Sequence, residues 1–205
     1  MIVACRAYWF PIVITVIPVI LALAGDSTTE LLRYQRGSIL AGEPWRIFTA
    51  HFVHLSWNHL FLNLAGYLLV LFYSFRFVSV WLWLVTLVVC VLSVGFGLYW
   101  ISPQVGWYVG LSGILHGLLL LAVLLHIKAG DRVSILLLLL VVAKLAWEQL
   151  VGPLPEDSIS LGGSVIVDAH LYGAIGGLLM GLIVIFFVGA ASPPRLPPIT
   201  KNLSE

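Results

Sequence analysis

The chain has 205 residues, 61% of them hydrophobic and 9% charged, with a mean hydropathy of +1.09. That balance excludes a water-soluble globular domain and specifies a polytopic membrane protein. A formal net charge of +1 offers no basic surface for nucleic acid. The two cysteines, Cys5 and Cys90, both fall in apolar runs and read as small buried hydrophobes, not as a disulfide.

A spanning helix needs about 20 apolar residues. Six runs meet this, at about 7–24, 54–75, 78–101, 111–127, 133–151 and 168–189. The short connections between them predict one domain over 1–190, an all-α six-helix bundle. The first run ends in "ALAG" (Ala22 to Gly25), which resembles a signal-peptidase site. Its length, Pro11, Pro18 and the single Arg6 before it favour a retained span. With the N-terminus inside, Arg6, Arg76, Lys128, Arg132, Arg195 and Lys201 fall on the cytoplasmic side. Arg33, Arg36 and Arg46 then share one longer outer loop with Asp26, Glu30 and Glu43, and a later outer loop carries Glu156 and Asp157. The basic excess predicts both termini in the cytoplasm. The Pro-rich tail 191–205 is expected to be disordered.

Polar residues cluster at particular ends of these runs. His59 and Asn63 open the second, Ser112 the fourth and His170 the sixth. Even-numbered spans run in one direction, so all four lie toward one leaflet, the outer one in this topology. From Ser112 to His126 the fourth run covers about 22 Å of helix, short of a hydrocarbon core of about 30 Å. The serine helix should therefore start below the surface, with "SPQVGWYV" (Ser102 to Val109) dipping in to meet it. Irregular backbone at that depth requires a protein-lined or wet cavity, and ionisable groups there mark function.

A serine hydroxyl needs a base to become a nucleophile, and histidine suits that role. Gly113 and Gly117 on the fourth run, with Ala169, Gly173, Gly177 and Gly181 on the sixth, form small-residue stripes that let two helices approach closely. Their contact would present His170 to Ser112. Ser112 sits where backbone N–H groups are free for an oxyanion, and His59 and Asn63, at i and i+4, share a face that could add donors. His116, four residues after Ser112, is poorly aligned as its base and is expected to stack on His170 or contact substrate. Asp168 should point away from His170, which leaves a Ser–His dyad without an evident third member.

Other groups read more plainly. His126 is expected at a helix interface. Lys144 and Glu148, at i and i+4 on the fifth run, predict an intramembrane ion pair, either structural or a gate contact or docking site for substrate. The spacing of His51, His54 and His59 is not that of a zinc hydrolase, so no metal and no cofactor is expected. Gly-x-Ser-Gly without a preceding strand also excludes the soluble nucleophile elbow.

From Glu43 to Gly181 the sequence resembles the rhomboid intramembrane serine proteases. "EPWRIFTAHFVHLSWNHLFLN" is similar to the family's Trp-Arg loop followed by its His-x4-His-x3-Asn motif. "GLSG" is similar to its nucleophile motif, and "AHLYGAIGG" to its sixth-helix motif. The resemblance implies Ser112 as nucleophile and His170 as base. It implies His59 and Asn63 on the oxyanion side, with Gly110 and Leu111 framing it. Trp45 and Arg46 would belong to an embedded first loop, and His54 would anchor it. Where many members carry an aromatic residue, this chain has His116, and "GLSGILHG" resembles the rhombosortase branch of bacterial rhomboids. That branch implies an inner-membrane enzyme acting on exported proteins whose C-terminal tail holds a Gly-rich motif, one spanning helix and a basic cluster. Two competing classes remain, a silent rhomboid-like binder of spanning helices and a small transporter. Against the second, no inverted repeat is apparent and no chain of acids crosses the membrane.

Overall fold

The structure, a computed structural model, describes residues 9–75, 77–153 and 161–188. Cys5, Arg6, Arg76, Glu156, Asp157 and the tail 191–205 lie outside the described residues, as do the expectations resting on them.

Apolar runs fold as helices because a bilayer offers no partners for free backbone groups. The chain opens with α1 (Trp9–Leu23) and the short α2 (Asp26–Leu32), β1 (Tyr34–Gln35), α3 (Arg36–Leu40) and α4 (Arg46–Thr49), then a 3-10 turn, Ala50–Phe52. There follow α5 (Trp57–Ser74), α6 (Val80–Trp100), β2 (Trp107–Tyr108), α7 (Ser112–Lys128), α8 (Val133–Leu150) and α9 (Val167–Ile183), which continues into a π turn at Val184–Val188. Among the described residues, three helices are long and apolar enough to cross a membrane unaided: α6, α8 and α9 with its extension. Two more spans form only if bent pairs are counted, α1 with α2 at 119° and Arg46–Phe52 with α5 at 89°. At 17 residues, α7 measures about 26 Å and is apolar but too short to join that set.

Two features depart from the sequence reading. The second run does not begin as helix at His54. Ser56 caps α5, its Oγ accepting from the His59 backbone N–H at 3.2 Å, so the helix starts at Trp57. The long first loop is also ordered into α2, α3 and α4, with β1 pairing antiparallel to β2 through Tyr34↔Tyr108 and Gln35↔Trp107.

That loop is held by guanidinium groups. Arg46 is buried, donating from Nε to Glu43 and from Nη1 to the carbonyls of Glu30 (2.7 Å) and Arg33 (3.1 Å). Arg36 donates to four carbonyls around the end of α6: Leu98 at 2.6 Å, Tyr99 at 3.0 Å, Ser102 at 3.1 Å and Val105 at 3.4 Å. A helix end leaves such carbonyls without intrahelical partners. Arg36 therefore fixes the turn that brings β2 back into the bundle.

At the centre α7 packs on α5, α6, α8 and α9. The stripes of small residues meet along α7 and α9. A methyl group on Gly113 would lie 2.7 Å from the Ala169 carbonyl oxygen, one on Gly173 would overlap the Gly113 carbonyl, and one on Gly177 would overlap that of Gly117. Cys90 is a buried free thiol beside this contact, its Sγ–H donating to the Gly173 carbonyl oxygen at 3.6 Å. At the far end from Ser112, His126 stacks on Tyr73 with ring centroids 4.1 Å apart, joining α7 to α5.

Candidate active site

The close approach of α7 and α9 fixes two side chains. Ser112 is the first residue of α7, and His170 lies in the opening turn of α9. Their Oγ and Nε2 atoms are 2.9 Å apart. His170 Nδ1 lies 3.0 Å from both carboxylate oxygens of Glu148. A carboxylate only accepts, so Nδ1 carries the proton and Nε2 is left to accept from the serine hydroxyl. This is the tautomer a general base requires.

Glu148 is the residue that sequence reasoning missed in this role. The ion pair expected with Lys144 is present, Nζ to Oε1 at 2.6 Å. The carboxylate nevertheless also faces His170, so the serine and histidine have a third partner where none was expected. A signal existed: α8 runs antiparallel to α7, which brings its C-terminal turn to the level of Ser112. Asp168 does point away, accepting from the Ser102 hydroxyl and from Gln104 Nε2 (3.3 Å).

The His116 ring stacks on His170, centroids 4.3 Å apart and planes at 21°. Its Nδ1–H donates to the Ser112 carbonyl at 2.7 Å. Both imidazoles are thus held in plane by hydrogen bonds and face to face by contact.

On the opposite wall, His59 and Asn63 are buried on α5. The Leu55 backbone N–H reaches His59 Nδ1 at 3.5 Å, which leaves the proton on Nε2. That nitrogen lies against Gly110, where a methyl group would sit 2.7 Å from it. Gly110 has φ +112°, a left-handed conformation that favours glycine. Asn63 Nδ2 donates to the His59 carbonyl at 2.9 Å, while its buried Oδ1 has no partner among the described residues. Leu111, 1% exposed, locks the turn before Ser112 into the core. His54 is buried edge-on to His59 at 4.9 Å. Trp45 is half-exposed beside the buried Arg46, in the first loop and away from Ser112.

Ser112, His170, His59, Asn63, His116, Lys144 and Glu148 all line one cavity of about 390 Å³. Its apolar walls come from α5, α7 and residues 161–166. Donor atoms of His116, Glu148 and His170 lie within 4.8 Å of one another. The Lys144 ammonium already occupies a cation's place at Glu148, and the Nδ1–H groups of both rings are spent on hydrogen bonds. The cluster suits proton handling better than metal ligation.

Helices and site together define a multi-pass membrane protein that holds a hydrogen-bonded serine and histidine inside its bundle. Residues 41–187 match the family model of the Rhomboid domain. The chain belongs to the rhomboid family, a family of intramembrane serine proteases. No individual curated protein matches it significantly.

Proposed function

We propose that this chain is an active intramembrane endopeptidase with Ser112 as nucleophile and His170 as general base. The 2.9 Å contact between Ser112 Oγ and an unprotonated His170 Nε2 carries this reading. A substrate helix enters the cavity between α5 and α8 and unwinds at small residues. Ser112 Oγ attacks the scissile carbonyl as its proton passes to His170 Nε2. The Ser112 backbone N–H, His59 Nε2–H and Asn63 Nδ2–H stabilise the oxyanion, a class of interaction worth about 10²–10³ in rate per donor. His170 returns the proton to the leaving amine, and water or another amine then resolves the acyl-enzyme.

The preferred substrates are exported proteins ending in a Gly-rich motif, one spanning helix and a basic cluster, as in the rhombosortase branch. His116 in place of an aromatic residue supports this assignment. Glycine weakens a helix by about 1 kcal/mol relative to alanine, so a Gly-rich segment yields readily to the extended form a serine protease cuts. The enzyme would sit in a bacterial inner membrane with both termini cytoplasmic, working near the outer face.

Co-expression with a reporter carrying such a tail tests the proposal, with the released product weighed by mass spectrometry. Release at the glycines that disappears in Ser112→Ala and His170→Ala is the expected result. If only unrelated single-span proteins are cut, the chain is a general rhomboid protease. An intact reporter and intact controls, in properly inserted protein, would sink the catalytic reading.

A further inference from the structure

We infer that Glu148 and Lys144 are positioning residues for catalysis: Glu148 orients and charge-stabilises His170, and Lys144 keeps Glu148 ionised inside the membrane. The inference rests on the protease reading and deepens it, turning a serine–histidine pair into a chain of four groups.

The physical argument begins with the carboxylate. Glu148 is buried, and an isolated buried carboxylate takes up a proton instead of bearing the desolvation cost. A protonated Glu148 could present its O–H to His170 Nδ1, reversing the tautomer and placing the proton on Nε2, where it blocks acceptance from Ser112. The Lys144 ammonium, 2.6 Å from Oε1, removes that option by favouring the anion. Lys144 lines the cavity half-exposed, and its one hydrogen bond among the described residues goes to Glu148. Both side chains sit on one face of α8, four residues apart. Glu148 therefore comes to His170 with its counter-charge already attached.

The symmetric 3.0 Å contacts of both carboxylate oxygens to Nδ1 fit this role. When Ser112 gives up its proton, His170 becomes an imidazolium facing a fixed anion. His116, stacked on the other side of the ring, has its Nδ1–H committed to the Ser112 carbonyl, which leaves Glu148 as the acceptor for His170 Nδ1–H. Lys144 touches neither Ser112 nor His170 through any hydrogen bond among the described residues, so its effect must pass through Glu148.

The test uses the full-length protein in detergent or liposomes and two readouts: cleavage of the tailed reporter, and labelling of Ser112 by a fluorophosphonate probe, which needs no substrate. Glu148→Gln is expected to lower both by up to about 10⁴-fold, the loss seen when the orienting carboxylate of a serine triad becomes an amide, with the loss in kcat and little change in KM. Lys144→Met should lose at least tenfold, and Lys144→Arg, which keeps the charge, should recover most of that loss. In the double variant Glu148→Gln/Lys144→Met, removing the lysine should add less than threefold to the glutamine's effect, because its only target is gone. Multiplying losses in the double variant would overturn the coupling, as would Lys144→Met and Lys144→Arg behaving alike. Ser112-dependent labelling that Glu148→Gln leaves within threefold of wild type would refute the role of Glu148 alone. If wild-type protein shows no Ser112-dependent labelling or cleavage, the protease reading itself fails. Thermal unfolding of each variant separates these outcomes from misfolding, and the double variant, with neither charge left buried, is the one expected to fold best.

Discussion

Replacing Gly173 by alanine adds one methyl group at the tightest point between α7 and α9, where it overlaps the Gly113 carbonyl. Backbone cannot turn aside as a flexible side chain can, so the two helices must separate by well over an ångström to restore ordinary contact. Overpacking of this kind typically costs about 1–3 kcal/mol. The catalytic cost should exceed the structural one. Ser112 and His170 lie one residue and three residues from the clashing groups, on opposite sides of the seam, and their 2.9 Å hydrogen bond spans it. A misplacement of about 1 Å can cost on the order of 10² in rate. Gly173→Ala should therefore fold with a reduced Tm yet lose most Ser112 labelling. Gly37→Ala serves as the control: its site is open, with nothing within 4 Å of the added carbon, and alanine is the better helix former. Gly173→Ala with wild-type Tm and labelling would refute the claim that this seam aligns the site.

Three further outcomes follow from the same contacts. Arg36→Met strips four carbonyls of their donor and should cost about 3 kcal/mol, read as a lowered Tm, since a hydrogen bond to a charged group contributes about 1.5–3 kcal/mol. His116→Phe should keep activity within a few-fold by preserving the stacked ring, whereas His116→Ala should lose up to about tenfold, the value of an aromatic contact; equal losses in both would point to the imidazole nitrogens instead. In the loop before α8, the Ser134 hydroxyl foremost holds the Asp131 carboxyl below its ordinary pKa, with the Val133 N–H and His126 assisting. That contribution is complete above the ordinary carboxylate range and is lost as pH falls through the lowered value. Asp131→Asn should accordingly flatten the acid limb of Tm against pH.

The sequence made some of this architecture legible and hid the rest for definite reasons. Gly113, Gly117, Gly173 and Gly177 recur at helical spacing, so a close seam could be inferred without knowing how the helices cross. Ser112 and His170 open helices of like direction, which put them at one level. Whether Glu148 meets His170 depends on the rotation of α8 about its axis, and spacing along one helix carries no information on that. The helices of the first loop are four to seven residues long, too short for periodicity to register. They are held by long-range bonds from Arg36 and Arg46, not by local propensity.

The two helices that flank the cavity are tied at the end away from Ser112. The Tyr73 hydroxyl meets Ser134 Oγ at 2.6 Å, Ser134 donates to Asp131 at 2.6 Å, and His126 Nδ1 lies 3.4 Å from the same carboxylate. This clasp makes α5 and α8 a pair of arms on a common pivot. From Ser134 to Glu148 the arm is about 21 Å long. Admitting a whole helix, about 10 Å across, would need the arms to spread by about 27°, whereas an extended strand, about 5 Å wide, needs about 14°. A clasped pair of levers thus discriminates by thickness: the nearer a chain lies to the pivot, the thinner it must be, and a segment that has already given up its helix asks about half the opening that an intact helix does.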